Sequence, residues 1–310
     1  MIVTVTMNPA IDKTVDVKEM EHGGLNRVEN VIIDAGGKGI NVSKTIKELG
    51  GETIASGFLG DGGSEIIKNV LSAYEIPSDF VHVKGEVRTN LKVVEASGSV
   101  TELNEAGPVI SEAELCQLMR KLEGYAGADT LFVMSGSIPR GVPHTIYRTL
   151  IEKVHAKGAR VFLDADGELF ANALEAKPDF IKPNRTELEE FYEMDYRANE
   201  EELVAMGTQF IGQGIGLVTI TLGQMGALFL TKEQKIRCPG LDIKAHSTVG
   251  AGDAMVAALA YGFDRQLDFL ECVKLGVATS AGAVTTHGTK PPTRELVGRL
   301  IQEVEIINVN

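Results

Sequence analysis

Short runs of apolar and β-branched residues recur along the chain at 130–134, 160–164, 180–182 and 217–221, and stretches with a helical repeat of apolar positions separate them. Between about residues 53 and 230 this alternation predicts right-handed βαβ units and a mostly parallel sheet covered by helices. The helical repeat is clearest over residues 112–125, where Leu115, Leu118, Met119 and Leu122 share one face, the signature of core packing. Residues 1–6 set Ile and Val against Thr and run into Asn8 and Pro9. They predict a first strand and lack the basic start and apolar block of a secretion signal. From Gly250 onward the pattern turns long, Ala-rich and helical, which predicts two closely packed helices over 252–263 and 267–283.

Two stretches break this rhythm. Residues 12–34 and 85–105 read as paired strands: Val15 and Val17, then 28–33, then 90–95, the turn Ser97-Gly98, and 100–103. They predict a small sheet standing off the main body, built jointly by segments distant in sequence. A sheet of few strands must bury its uncovered face against a ligand, the body or a second subunit. The expected organisation is an α/β body of residues 1–11, 35–84 and 106–310, with a β-sheet lid of residues 12–34 and 85–105 that also forms a homodimer.

Composition narrows the chemistry. The chain has 310 residues, 44% of them hydrophobic, which suits one large α/β domain or two smaller ones. Its net charge of −13 and the lack of a basic block argue against nucleic acid and anionic membrane as partners. No apolar run reaches the length of a membrane span. Cys116, Cys238 and Cys272 are scattered, with no CxxC pair, so neither a disulfide framework nor a zinc site is indicated, and a cytoplasmic location is expected. On so acidic a chain, a site for an anionic small molecule needs local cations and backbone amides.

The segment Ser247-Thr248-Val249-Gly250-Ala251-Gly252-Asp253 stands directly before an apolar helix. Small residues at Gly250, Ala251 and Gly252 let backbone N–H groups approach a ligand, and a helix N-terminus adds positive potential, so the segment reads as an anion cradle. Asp253 could take the proton of an attacking hydroxyl there. A tight loop followed by an ordinary helix-start acid is the alternative. A second glycine-rich start, Gly36-Gly37-Lys38-Gly39-Ile40-Asn41, precedes a helical stretch over 42–49. A cation at a helix N-terminus is unfavourable unless it has a task; Lys38 would suit a fixed phosphate and Asn41 a hydroxyl, against the alternative of a solvated surface lysine. The chain has no GxxxxGK[ST] and no complete GxGxxG, so neither a Walker loop nor a dinucleotide fold is supported.

These segments occur in a set order. Asn8-Pro9-Ala10-Ile11-Asp12, Gly36 to Asn41, Ser135-Gly136-Ser137-Ile138-Pro139, Lys182-Pro183-Asn184 with Glu187, Thr221-Leu222-Gly223 with Gly226, and Thr248 to Asp253 follow one another as in ribokinase-like (PfkB) sugar kinases. The chain resembles the hexose-phosphate branch of that family, which includes 1-phosphofructokinase, tagatose-6-phosphate kinase and the minor 6-phosphofructokinase. The resemblance implies a three-layer αβα sandwich, with ATP and Mg2+ as cofactors and a phosphorylated ketohexose as acceptor. It further implies that Asp12, Gly36, Gly37, Lys38, Asn41, Asn90 and Ser137 hold the sugar and that Arg88 clamps its phosphate. Arg27 resembles a residue that reaches the partner subunit's site, or else is a surface arginine on a strand.

On the nucleotide side the resemblance assigns Lys182, Asn184, Glu187, Thr221, Gly223, Gly226, Ser247, Thr248, Val249 and Thr286, with Asn184 and Glu187 holding magnesium through water. Glu187 is equally an ordinary first-turn helix acid. His246 and Thr286 depart from the family pattern near the nucleotide. The acceptor most resembles fructose 1-phosphate, with tagatose 6-phosphate or fructose 6-phosphate as alternatives. A sugar-phosphate sensor without chemistry would need no complete Gly250 to Asp253 with Glu187, and an oligomeric scaffold would not need Lys38 and Arg88 in opposing segments.

Overall fold

A computed structural model describes residues 1–309. Its strands are β1 (Ile2–Thr6), β2 (Ala10–Val17), β3 (Asn30–Gly36), β4 (Thr53–Gly62), β5 (Ser78–Glu86), β6 (Arg88–Glu95), β7 (Val100–Asn104), β8 (Leu131–Ser135), β9 (Arg160–Asp164), β10 (Phe180–Ile181), β11 (Leu217–Thr221), β12 (Gly226–Leu230), β13 (Lys235–Pro239) and β14 (Ile307–Asn308). The α-helices are α1 (Lys38–Glu48), α2 (Ser64–Ala73), α3 (Glu112–Tyr125), α4 (Ile146–His155), α5 (Gly167–Leu174), α6 (Arg185–Phe191), α7 (Glu200–Gly212), α8 (Ala251–Asp264), α9 (Phe269–Ala283) and α10 (Arg294–Leu300).

Ten strands form the body sheet in the order β14-β13-β12-β11-β10-β9-β8-β1-β4-β5. Those from β11 to β5 run parallel, and the β12, β13 and β14 edge is antiparallel. Alternate residues of each central strand feed opposite cores. Val3, Phe132, Met134, Val161 and Leu163 join the core under α3, α4, α5 and α7. Ile2, Leu131, Val133 and Phe162 join the one under α1, α8, α9 and α10. That double burial is why these strands read as nearly unbroken apolar runs. The helices α8 and α9 lie close because small residues line their contact; a Cβ on Gly262 would fall 2.5 Å from Cys272 Sγ.

From β1 the chain first adds β4 and β5 on one side, then returns to add β8 to β11 on the other. Ligand crevices in open parallel sheets form at such a reversal, outside the carboxyl ends of the strands. Those ends here carry Thr6, Ser135, Asp164, Lys182 and Thr221.

The second sheet has the order β3-β2-β6-β7, with β2 and β6 parallel and the outer pairs antiparallel. Its strands reach beyond the segments expected from sequence, because Ala10 pairs with both Gly36 and Arg88. Residues 85–86 instead close β5. The register gives the sheet two unlike faces. Asp12, Asp34, Arg88, Asn90 and Lys92 share one. Val15, Val31, Ile33, Leu91, Val93 and Leu103 share the other. Arg27 lies in the irregular segment between β2 and β3 and not on a strand, because the ladder of this sheet resumes only at Asn30.

Candidate active site

Helix α1 begins at Lys38, four residues before the expected start, with Gly37 as its cap. The neighbouring glycines leave room for other parts of the protein. A Cβ on Gly39 would fall 2.4 Å from Thr6 Oγ1, and one on Gly36 would fall 2.3 Å from Asp12 Oδ2. The first lets α1 lie against β1; the second admits the Asp12 carboxylate. Along this largely buried helix, Lys38, Asn41 and Lys44 recur every three residues as a polar stripe. Each meets an aspartate: Lys38 Nζ lies 3.2 Å from Asp164 Oδ1, Asn41 Nδ2 donates to Asp253 Oδ2 at 2.8 Å, and Lys44 Nζ lies 3.3 Å from Asp34 Oδ2.

Asp164, at the end of β9, was not singled out by the sequence. It is almost fully buried, and its Oδ1 accepts from both Lys38 and Lys182, each at 3.2 Å. Burial alone would raise its pKa, but Lys182 and Lys38 more than offset this and hold it below the ordinary aspartate value. Burial likewise works against the Lys38 ammonium, yet Asp164 and Asp253 keep its pKa above normal. Lys182 also flanks the start of α8, since a Cβ on Gly252 would lie 3.4 Å from its Nζ.

Gly250 caps α8 with φ at 82°, a left-handed conformation suited to glycine. The turn places Asp253 in the first turn of α8, buried. Burial and then the neighbouring Asp164 charge push its pKa up to about 6, against the opposing effects of Lys38, Asn41 and Lys182. A carboxylate of that basicity is matched to proton abstraction near neutral pH.

These groups open onto one crevice of about 970 Å³. Its lining includes the charged or polar Lys38, Asp164, Lys182, Glu187 and Asp253 with Gly252, and the apolar Leu241, Ile243, Met255, Val277, Ala281 and Val284. Asn184, Thr221, Gly223, Gly226, Thr248 and Ala251 also border it. A mostly apolar lining with a few converging polar groups is the usual make-up of a small-molecule pocket.

Asn184 and Glu187 form a capping box on α6: Glu187 N–H donates to Asn184 Oδ1 at 2.9 Å, and Asn184 N–H donates to Glu187 Oε2 at 2.8 Å. Burial raises the Glu187 pKa, with Lys182 opposing. Among the described residues, no group of three or more His, Cys, Asp or Glu could enclose a metal. Glu187 borders the crevice as a single carboxylate, a donor set that leaves most ligand positions of a hard cation to water or a bound anion.

The remaining expected residues take other places. Asn90 Nδ2 donates to Asp12 Oδ1 at 3.0 Å on the polar face of the small sheet. Burial raises the Asp12 pKa, opposed by that hydrogen bond and by Lys92 and Lys44. Arg88 Nε donates to Asn8 O at 3.0 Å. Its side chain borders a neighbouring concavity of about 650 Å³ together with Lys84 and Arg140, rather than the main crevice. Ser137 is exposed in the turn after β8. Ser247 Oγ accepts from Val249 N–H at 3.2 Å, so this pair shapes the approach to the cradle. Thr286 Oγ1 is engaged with Ala283 O and Lys290 O, within its own loop. His246 packs edge-on against His287, ring centroids 3.8 Å apart.

Comparison with known proteins places the chain in a family. The family model described as pfkB family carbohydrate kinase matches residues 5–296. A 1-phosphofructokinase of Bacillus subtilis is 36% identical over 306 residues, covering 99% of each chain. A D-tagatose-1-phosphate kinase of Bacillus licheniformis is 34% identical over 257 residues, 83% of this chain and 84% of that one. The crystal structure of phosphofructokinase-2 from Escherichia coli, in complex with substrates and products, superposes with a TM-score of 0.92 at 28% identity, covering 97% of this chain and 98% of that one. The sandwich with its small second sheet is thus the ribokinase-like architecture implied by the motifs. The chain belongs to the pfkB family of carbohydrate kinases.

Proposed function

We propose that this chain transfers the γ-phosphoryl group of ATP to the free primary hydroxyl of fructose 1-phosphate, giving fructose 1,6-bisphosphate and ADP. The observation that carries the reading is the convergence of a buried, unusually basic Asp253 with Lys38, Lys182 and the start of α8 on one crevice. Asp253 accepts the hydroxyl proton as the oxygen attacks the γ-phosphorus. Asn41 holds the carboxylate in place. The N–H groups of Gly250, Ala251 and Gly252 and the Lys182 ammonium face the negative charge that spreads over the transferred group. The apolar lining of the crevice takes the adenine. When bound, Mg2+ neutralises the nucleotide phosphates. Asp12 and Asn90 meet sugar hydroxyls, and Arg88 meets the sugar's phosphate once the small sheet closes.

Tagatose 1-phosphate is the second reading, favoured by the D-tagatose-1-phosphate kinase relative. ADP release measured with fructose 1-phosphate, fructose 6-phosphate and the 1- and 6-phosphates of tagatose separates the readings. The highest kcat/KM is expected with fructose 1-phosphate, and absence of turnover with every acceptor would reject the kinase reading.

The small sheet also serves as the homodimer surface in this reading. Val31, Ile33 and Leu103 are about half exposed on its apolar face, and β3 is an open edge strand. A second copy covers them and brings its Arg27 toward this chain's sugar site. Ile33→Glu places a charge on that face and is expected to convert a dimer into a folded monomer in sedimentation velocity. A wild type that sediments as a monomer at micromolar concentration would overturn this surface.

A further inference from the structure

We propose that Lys44 is a positioning residue that ties the lid strand β3 to the phosphoryl cradle, so that closure over the sugar and readiness for transfer stay coupled. The proposal rests on the kinase reading above.

Lys44 is 1% exposed, on a helix whose residues 39–46 are all buried. A buried ammonium is costly, and an apolar side chain of similar length would fill the same space at lower cost. Its three donors are fully used, and the partners come from two other segments. Nζ lies 3.3 Å from Asp34 Oδ2, 3.0 Å from Ala35 O and 3.1 Å from Thr289 Oγ1. The Thr289 hydroxyl accepts from Lys44 and donates its own proton to Asp34 Oδ2, 3.3 Å away. Burial lowers the Lys44 pKa, with Asp34, Asp12 and Asp253 opposing. With every donor engaged, Lys44 has none left for a ligand and acts through its neighbours.

Those neighbours all adjoin groups placed at the substrates in the reading above. Asp34 is the ladder partner of Asp12. Helix α1 carries Lys38 and Asn41, which meet Asp164 and Asp253. Thr289 packs against Gly250, where a Cβ would lie 3.6 Å from its Cα and Cγ2. One ammonium therefore joins the strand that closes over the sugar, the helix that holds the base and the loop that backs the cradle. Without it, β3 can settle on the sugar while the cradle stands out of register, and the crevice admits water. Hydrolysis then replaces transfer: the new bond to the γ-phosphorus comes from a water oxygen instead of the sugar oxygen, the water proton passes to solvent, and ADP leaves in either case.

The test uses the full chain as wild type, Lys44→Met, Lys44→Arg and Thr289→Val, with ADP release and sugar bisphosphate measured separately. Lys44→Met and Thr289→Val are expected to raise the sugar KM and the ratio of sugar-independent to sugar-dependent ADP release by roughly tenfold each, within the range of couplings in one hydrogen-bonded network. The KM for ATP should stay near wild type, and Lys44→Arg should recover part of the coupling. Thr289→Val exchanges a hydroxyl for a methyl and carries the test if Lys44→Met does not fold. Variants that lose thermal stability but keep the wild-type sugar KM and one ADP per bisphosphate would overturn the role. A wild type that phosphorylates no acceptor would overturn the kinase reading, and this role with it.

Discussion

Asp253→Asn is expected to lower kcat by ~10²-fold or more while raising thermal stability, with sugar-phosphate affinity changed only a few fold. The loss of turnover follows from removal of the group that takes the hydroxyl proton. The gain in stability follows from the sign of the pKa shift. The folded chain holds the Asp253 proton more tightly than an unfolded one, since burial lifts the pKa from 3.8 to about 6. The group therefore costs the folded state little below pH 4; the cost grows between about pH 4 and pH 6 and stays level above that. At neutral pH that interval corresponds to about 3 kcal/mol at ~1.4 kcal/mol per tenfold, and an uncharged amide escapes it. The same value places the acid limb of kcat/KM near pH 6 in the wild type, with activity falling as the carboxylate protonates. Wild-type turnover in Asp253→Asn, measured by ADP release, would remove this carboxylate from the mechanism.

The body was legible because burial on both faces leaves apolar runs of strand length, and 130–134 and 160–164 coincide with β8 and β9 to within a residue. The small sheet was legible as alternating segments. Its central pairing was not, because β2 and β6 run parallel across more than seventy intervening positions and no turn between them sets their register. The glycine turn and helix start at Gly250 to Asp253 could be read from their own residues. At Gly36 to Gly39 the same residue type hid a helix start that comes four residues earlier than the helical repeat suggests. Two of those glycines answer to Thr6 and Asp12 beside them, so the helix begins inside a run that looks like a loop.

Asp164 escaped notice for a different reason. Its two lysines come from α1 and from the end of β10, and Lys38 stands 126 positions away in sequence. The local signal was an acid closing an apolar parallel strand, at the sheet end where ligands gather. Lys44 and Asp34 carried a signal of their own, since a charged residue three positions after Asn41 continues a polar stripe on a buried helix. Asn184 and Glu187 illustrate the reverse case. Their three-residue spacing serves a capping box as well as an ion, and the box is what their backbone bonds form.

Asp164→Asn is expected to cost about 3–5 kcal/mol of stability, the usual consequence of removing one partner from a buried charge network. Two ammonium groups, Lys38 and Lys182, would then share a neutral acceptor in place of a carboxylate oxygen. Lys182 would lose the anchor that holds it beside Gly252, and kcat/KM should fall by ~10²-fold, of the order seen when one preorganised charge-stabilising group is removed. One effect runs the other way. The Asp164 charge is, after burial, the largest cause of the raised Asp253 pKa, and removing it lets that pKa drop. The acid limb of the residual activity should therefore move below pH 6 even as the rate declines. Loss of packing alone would lower stability and rate but leave the limb where it was. A limb that stays at pH 6 in a folded Asp164→Asn protein would show that the aspartates at 164 and 253 do not sense each other, and that Asp164 serves only to hold the lysines.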